Sequence, residues 1–272
     1  MNELDKKFKK ELDREDARFI TLYKKAVLDF FKKVKGIKGK EFFEINKELT
    51  LQEHQFKRKL FKLFREHGYN CFNMGRLHGK YEIIAEGYGA SDFKKLEPMK
   101  LSEPLPFHQD GFFWIVPKNA MEAIDKRQLV LSGNVTKDMV DSIKDYLREK
   151  IQGADETVVE KNIAKTLNST LERGELISIT ESTYYYNKGR VATFLEDGVE
   201  YIQFSAIMDS RTSPQCTSRH GLVMRTDSTE LGMNTPPLHG RCRSILKPYF
   251  DKPSEKSLDW RCVAELPNGW KR

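Results

Sequence analysis

Cysteine is scarce, four in 272 residues, too few for a disulfide scaffold. No apolar run approaches the roughly 20 residues that a membrane span needs; the longest is Phe112–Val116. The N-terminus, Met1-Asn2-Glu3-Leu4 leading into lysines, lacks the apolar segment of a secretion signal. Internal repeats are absent. So are a Gly-x-Ser-x-Gly elbow and a His-Glu-x-x-His pair, and Gly87-Tyr88-Gly89 lacks the Lys-Ser/Thr of a phosphate loop. These absences predict a soluble intracellular protein that works without membranes or disulfides.

What is present points to a packed core under a charged surface. Hydrophobic residues reach 39% beside 32% charged, and 17 Phe with 10 Tyr argue against wholesale disorder. Forty-seven Lys plus Arg against forty Asp plus Glu leave +7. That excess suits a nucleic-acid or acidic partner. Solvated lysine-rich helix faces explain it equally well.

The first third reads as helix. Leu4, Phe8, Leu12, Phe19, Tyr23, Val27, Phe30 and Val34 recur mostly at helical spacing, until Gly36 and Gly39 interrupt a lysine cluster. A second helix is expected from about Leu51 to Ile84, with Gly68, Gly75 and Gly79 tolerated at close helix contacts. Pro98, Pro104 and Pro106 mark a linker, and Phe112–Val116 reads as a buried extended anchor. Short helices are then expected over Pro117–Arg127, Thr136–Ile151, Val158–Leu171 and Glu175–Leu195, with Gly153 closing the second. Val199–Met208 alternates like a strand. The expected partition is 1–95 helical, 96–116 linker and anchor, 117–250 C-terminal domain, and 251–272 polar tail.

The chemistry concentrates near the C-terminus. Cys216 and His220 are four apart, which on a helical turn shares a face. His239 and Cys242 are three apart, behind the rigid pair Pro236-Pro237. One Cys and one His from each half suit a tetrahedral structural zinc held by Cys216, His220, His239 and Cys242. Buried thiols and hydrogen-bonded imidazoles explain the same residues without metal. Two catalytic readings also stand: Cys216 as nucleophile with His220 or His239 as base and Asp209 orienting, or Asp209, His220 and His239 holding a metal for phosphodiester hydrolysis. Arg211, Arg219, Arg225, Arg241 and Arg243 crowd the segment, for an acidic partner or for internal pairing with Asp209, Asp227 and Glu230. Cys71, with His67 and His78 nearby, and Cys262 read as ordinary thiols.

The string Asp209-x-Arg211-Thr212, Cys216, Gly221, Pro236-Pro237-Leu238-His239-x-x-Cys242-Arg243 is similar to the closing signature of phage Mu F-like head morphogenesis proteins, also called minor head or minor capsid proteins. Upstream, Ile179-Thr180-Glu181-Ser182-Thr183 and Tyr186-Asn187-Lys188-Gly189-Arg190 resemble the family's Arg-Thr-Glu-Thr and Tyr-Asn-x-Gly-Arg stretch, with Ile179 in place of the first Arg. The resemblance covers about Pro117 to Pro248. It implies a non-catalytic virion component inside the capsid near the portal, present in few copies and acting in head assembly and DNA packaging or ejection. Portal, capsid or scaffold proteins would be its partners, with phage DNA held non-specifically through basic faces. Glu181, Asn187, Arg190, Asp209, Arg211, Thr212, Pro237 and Arg243 would be structural motif positions. The expected fold is α+β, mainly α: a helical N-terminal arm, then a small α+β domain whose end loop a zinc ion could staple.

Overall fold

The computed structural model describes residues 3–37, 42–85 and 118–251. Four long helices come first: α1 (Glu3–Lys35), α2 (Phe42–Ala85), α3 (Lys118–Ile151) and α4 (Glu156–Glu196). After them come β1 (Tyr201–Ser205), α5 (Pro214–Arg219), β2 (Val223–Arg225), α6 (Leu231–Asn234) and β3 (Ile245–Tyr249). The chain is mainly α with a small antiparallel sheet, as its sequence pattern leads one to expect. The linker and anchor expected over 96–116, and the tail from residue 252 onward, lie outside the described residues. No helix among the described residues is long and apolar enough to cross a membrane.

Two compact units interleave the chain. One draws its described residues from Met1–Arg14, Asn70–Ile115 and Ile179–Arg272, the other from Glu15–Tyr69 and Val116–Ser178. Among the described residues, the second unit contains helices and no strand. Phe19, Tyr23, Val27, Phe30 and Phe31 of α1 are buried with Phe56, Leu60 and Phe64 of α2 and Val135, Met139 and Ile143 of α3. Phe30 and Phe56 pack with ring centroids 4.7 Å apart. Each such fully buried side chain contributes about 1.5–3 kcal/mol relative to exposure. The Tyr23 hydroxyl, inside this core, donates to the Thr170 carbonyl at 3.0 Å.

The first unit carries the sheet, in the order β2-β1-β3. Along β1 burial alternates, so Ile202 and Phe204 face inward. Ile202 stands opposite Met224 and Pro248, and Phe204 opposite Leu246. Pro248 is tolerated because β3 is an edge strand. Val191 and Phe194 of α4 and Ile83 of α2 share this core. Phe8 of α1 joins Met74, Leu77 and Tyr186 in a satellite cluster of the same unit.

Where short helices were expected between 117 and 195, the structure has two long ones. Gly153 does close the first, but α3 runs unbroken through Gly133 and α4 through Gly174 and Gly189. Tertiary packing overrides the weak helix propensity of glycine at these sites. A Cβ on Gly189 would lie 2.0 Å from the Phe72 carbonyl oxygen, and one on Gly75 would lie 1.9 Å from that of Tyr186. Missing side chains therefore let the backbones of α2 and α4 touch, the role expected of Gly75, while Gly79 lies against the side chains of Phe194 and Thr193.

Gly75→Ala and Gly189→Ala should each destabilise the protein by at least the ~1–3 kcal/mol of ordinary overpacking, because backbone cannot yield as a side chain can. Gly232→Ala, whose Cβ would meet nothing within 4 Å, is the control. Chemical denaturation of the three variants checks this; equal midpoints would refute the contact.

Candidate metal centre and the helix edge that supports it

The segment leaving β1 is folded by its own polar groups. Asp209 Oδ1 accepts the Arg211 N–H at 2.9 Å, and the Asp209 N–H donates to Thr212 Oγ1 at 3.0 Å. Thr212 in turn donates its hydroxyl to the Ile207 carbonyl. The Asp209 carboxylate takes both arms of the Arg243 guanidinium, at 2.8 and 2.6 Å. That bidentate bond holds the Asp209 carboxyl well below the usual carboxylate range. The sequence led us to expect Arg211 or a backbone turn as the partner; the turn is present, but Arg211 reaches Asp209 only at 3.7 Å. Asp209 thus ties the loop to Arg243, two residues before β3.

Ser213 then caps α5 with its hydroxyl, which accepts the Cys216 N–H at 3.3 Å, and Pro214 occupies the first turn. Cys216 is buried as a result. From the other side the chain turns through the cis Pro236–Pro237 bond and through Arg241, whose φ is 58°. This brings His239 and Cys242 to Cys216. Cys216 Sγ lies 3.2 Å from His239 Nε2 and 3.6 Å from Cys242 Sγ. His239 Nδ1 sits 2.8 Å from the Gly240 carbonyl oxygen, to which it donates, and the neutral ring so held would present the Nε2 lone pair to a cation between it and the sulfurs.

His220, expected as the fourth member, is not part of this group. Helix α5 has six residues and ends at Arg219, so His220 leaves the helical path with ψ 122°. The face-sharing of a four-residue spacing is lost there. Its Nδ1 instead accepts the Ala206 N–H at 3.1 Å.

Two thiols and an imidazole are a donor set for a borderline-soft cation. Around tetrahedral zinc, with bonds of ~2.3 Å to sulfur and ~2.0–2.1 Å to nitrogen, such atoms stand roughly 3.8 and 3.5 Å apart. The separations here are within a few tenths of an ångström of those values. Electrostatics supports a shared negative charge. The Cys216 thiol is pulled down, chiefly by the hydrogen bond from the Cys242 thiol and against the opposing effect of burial. Cys242, giving that hydrogen bond and itself buried, is pushed up.

The edge of α4 holds this loop in place. The Thr180 hydroxyl accepts the Arg241 N–H at 3.3 Å, and the Thr183 hydroxyl donates to the Cys242 carbonyl at 2.7 Å. Asn187 donates to the Ser244 carbonyl at 3.2 Å and accepts the Leu246 N–H at 2.8 Å. Arg190 donates through Nε to the Leu246 carbonyl at 2.6 Å and through Nη2 to Glu82. These residues lie on one helical face, and their side chains bond to successive backbone groups of 241–246. Glu181 is buried on the same helix, Ile179 half-buried, and Pro237 half-buried in the loop.

Behind Arg190 lies a buried polar cluster that sequence reasoning missed. His78 is 3.3 Å from Asp5, 3.5 Å from Glu82 and hydrogen-bonded to the Tyr186 hydroxyl. Phe8 stacks on its ring at 4.3 Å. Lys247 pairs with Asp5 at 2.7 Å, and Arg190 with Glu82. Asp5, His78 and Glu82 are close enough to share a cation, but Lys247 and Arg190 already neutralise the two carboxylates. The available signal was the four-residue spacing of His78 and Glu82; reading His78 as a neighbour of Cys71 obscured it. Cys71 itself is buried, and Cys262 lies outside the described residues.

The family comparison falls on these residues. Residues 141–247 match the family described as Phage Mu protein F like protein. The Mu F-like segment takes in the α4 edge, the Asp209 turn, the Cys/His loop and most of β3. The family is one of phage head-related proteins. Comparison with curated proteins and with solved structures gives no match.

Burial, and then the nearby Arg190 charge, push the His78 imidazole down to about 3. Between pH 6.5 and that value the unfolded chain binds a proton there that the folded chain does not, so stability falls as pH falls through this window. Urea midpoints should decline from pH 7 to pH 4 beyond what exposed histidines cause, and His78→Gln should flatten the decline. Parallel curves for parent and variant would remove His78 as the cause.

Proposed function

We propose that the chain is a minor head protein of a phage particle, a non-catalytic component of the capsid interior near the portal that acts in head assembly and in DNA packaging or ejection. The observation that carries this reading is the match of residues 141–247 to the Phage Mu protein F like family. The geometry supports it, because the motif side chains Thr183, Asn187, Arg190, Asp209 and Arg243 bond to the protein's own loop and strand. Exposed Lys25, Lys32, Arg58 and Lys62 on α1 and α2 offer packaged DNA sequence-independent phosphate contacts. Portal, capsid or scaffold proteins are the protein partners on this reading, and the virion its final location.

In purified particles the chain should be present in few copies relative to the shell protein and should co-purify with the portal. Particles formed without it should be defective in DNA content or delivery. Complete particles that lack the chain would overturn the reading.

Zinc bound by Cys216, His239 and Cys242 belongs to the same proposal, as a staple joining α5 to the loop before β3. When bound it would neutralise the thiolates and fix both loops. Three donors rather than four depart from a closed structural site, and this favours one rival, a metal-dependent nuclease with an open coordination position. Two residues first considered for that rival stand elsewhere: Asp209 is taken by Arg243, and His220 by Ala206. Elemental analysis should find about one zinc per chain, lost in Cys216→Ser/Cys242→Ser, and a chelator should lower the melting temperature of the parent. A folded parent with no zinc and no response to chelator would remove the staple. Divalent-ion-restored DNA cleavage, abolished in His239→Ala, would favour the nuclease.

A further inference from the structure

The five arginines of the C-terminal segment divide by what holds them. Arg219 is buried, donating to Asn234 Oδ1 at 2.8 Å and to the Gln215 carbonyl at 3.1 Å. Arg225 pairs with Asp227 at 2.9 Å and Glu200 at 3.1 Å. Arg243 is occupied by Asp209. Two remain. Arg211 is exposed and its guanidinium reaches only the already occupied Asp209, at 3.7 Å. Arg241 is also exposed, and its guanidinium makes no hydrogen bond or ion pair among the described residues.

Arg211 and Arg241 line the same small depression as Cys216 and His239, with Arg243 in its wall. Among the described residues three arginines and no acidic residue line it, and Asp209, which pairs with Arg243, stands outside the lining. Arg241 holds φ 58°, a left-handed conformation that glycine adopts more cheaply. The residue before it, Gly240, is not the one so placed, and the chain keeps a charged side chain at the strained position.

We propose that Arg211 and Arg241 form a phosphate-binding subsite beside the Cys216/His239/Cys242 centre. The guanidinium fork suits the oxygens of a phosphate group, whether free phosphate, a strand-terminal phosphate or a backbone phosphodiester. The subsite stands on the two arginines that line the depression, and zinc bound beside them would add to its positive charge.

Zinc-loaded full-length chain, titrated with inorganic phosphate by calorimetry, tests this. Phosphate should bind, and Arg241→Ala should weaken binding at least tenfold, with Arg211→Ala weakening it less. Zinc content and melting temperature should stay unchanged in both variants, and Arg225→Ala should behave like the parent. Short oligonucleotides with and without a 5′ phosphate identify the source. Binding of the phosphorylated strand alone assigns a terminal phosphate, equal binding of both assigns the backbone, and either result must show the same Arg241 dependence. Zinc-loaded protein that ignores phosphate, or binds it equally well in Arg241→Ala and Arg225→Ala, overturns the subsite while leaving the metal centre intact. If elemental analysis finds no zinc yet phosphate binds through Arg241, the metal reading falls and the subsite stands; if neither is found, both fall.

Discussion

The backbone contact between α2 and α4 is the constraint on which the sheet-bearing unit depends. At Gly75 and Gly189 each helix presses a carbonyl into the space where the other would carry a Cβ. Helices that approach this closely bring long side chains from opposite walls into mutual reach. Arg190 can therefore meet Glu82, and Tyr186 can meet His78, without water between them. An arginine with no exposed surface is costly to bury unless its donors find partners. Here the close approach supplies Nη2 with the Glu82 carboxylate and Nε with the Leu246 carbonyl; Nη1 has no hydrogen-bond partner among the described residues, and the guanidinium carbon lies 5.7 and 5.5 Å from the Tyr186 and Phe194 ring centroids.

The same α4 face explains how a short, irregular C-terminal segment acquires a fixed shape. A three-stranded sheet with strands of three to five residues buries too little to order its own loops. Side chains of α4 make up the difference by satisfying the backbone groups of 241–246 that have no strand partner. The Cys/His centre is one end of this arrangement. Its geometry is held by Thr183 on the Cys242 carbonyl and by the Asp209–Arg243 pair that joins the two loops, so the sulfurs and the imidazole are brought together by groups that do not touch the sulfur and nitrogen atoms themselves.

Much of this was legible in the sequence, and the exceptions have physical causes. Apolar spacing located α1, α2 and β1, and three of the four Cys/His positions, Cys216, His239 and Cys242, prove to be neighbours, beside the α4 face that the Tyr-Asn-x-Gly-Arg stretch marks. Helix lengths were less legible, since Gly133, Gly174 and Gly189 look like breaks until the packing partners are known; Gly174, for instance, lies against the Tyr23 ring. His220 was grouped with Cys216 because four residues make a helical turn, but a six-residue helix ends before that rule applies. The Asp5, His78 and Glu82 cluster draws on α1 and α2, and no local pattern announces that a residue near the N-terminus will pair with Lys247.

The bonds from α4 to the end of the chain run from side chains to backbone. Thr183, Asn187 and Arg190 contact carbonyl and amide groups at Cys242, Ser244 and Leu246, which almost any residue would present. For this grip the two partners are under unequal evolutionary constraint. The helix must keep its polar side chains in register, while the strand it holds is free to drift in side-chain identity wherever the core and the cysteines do not forbid it. Divergent relatives would then be easier to recognise by the helix that grips than by the strand that is gripped.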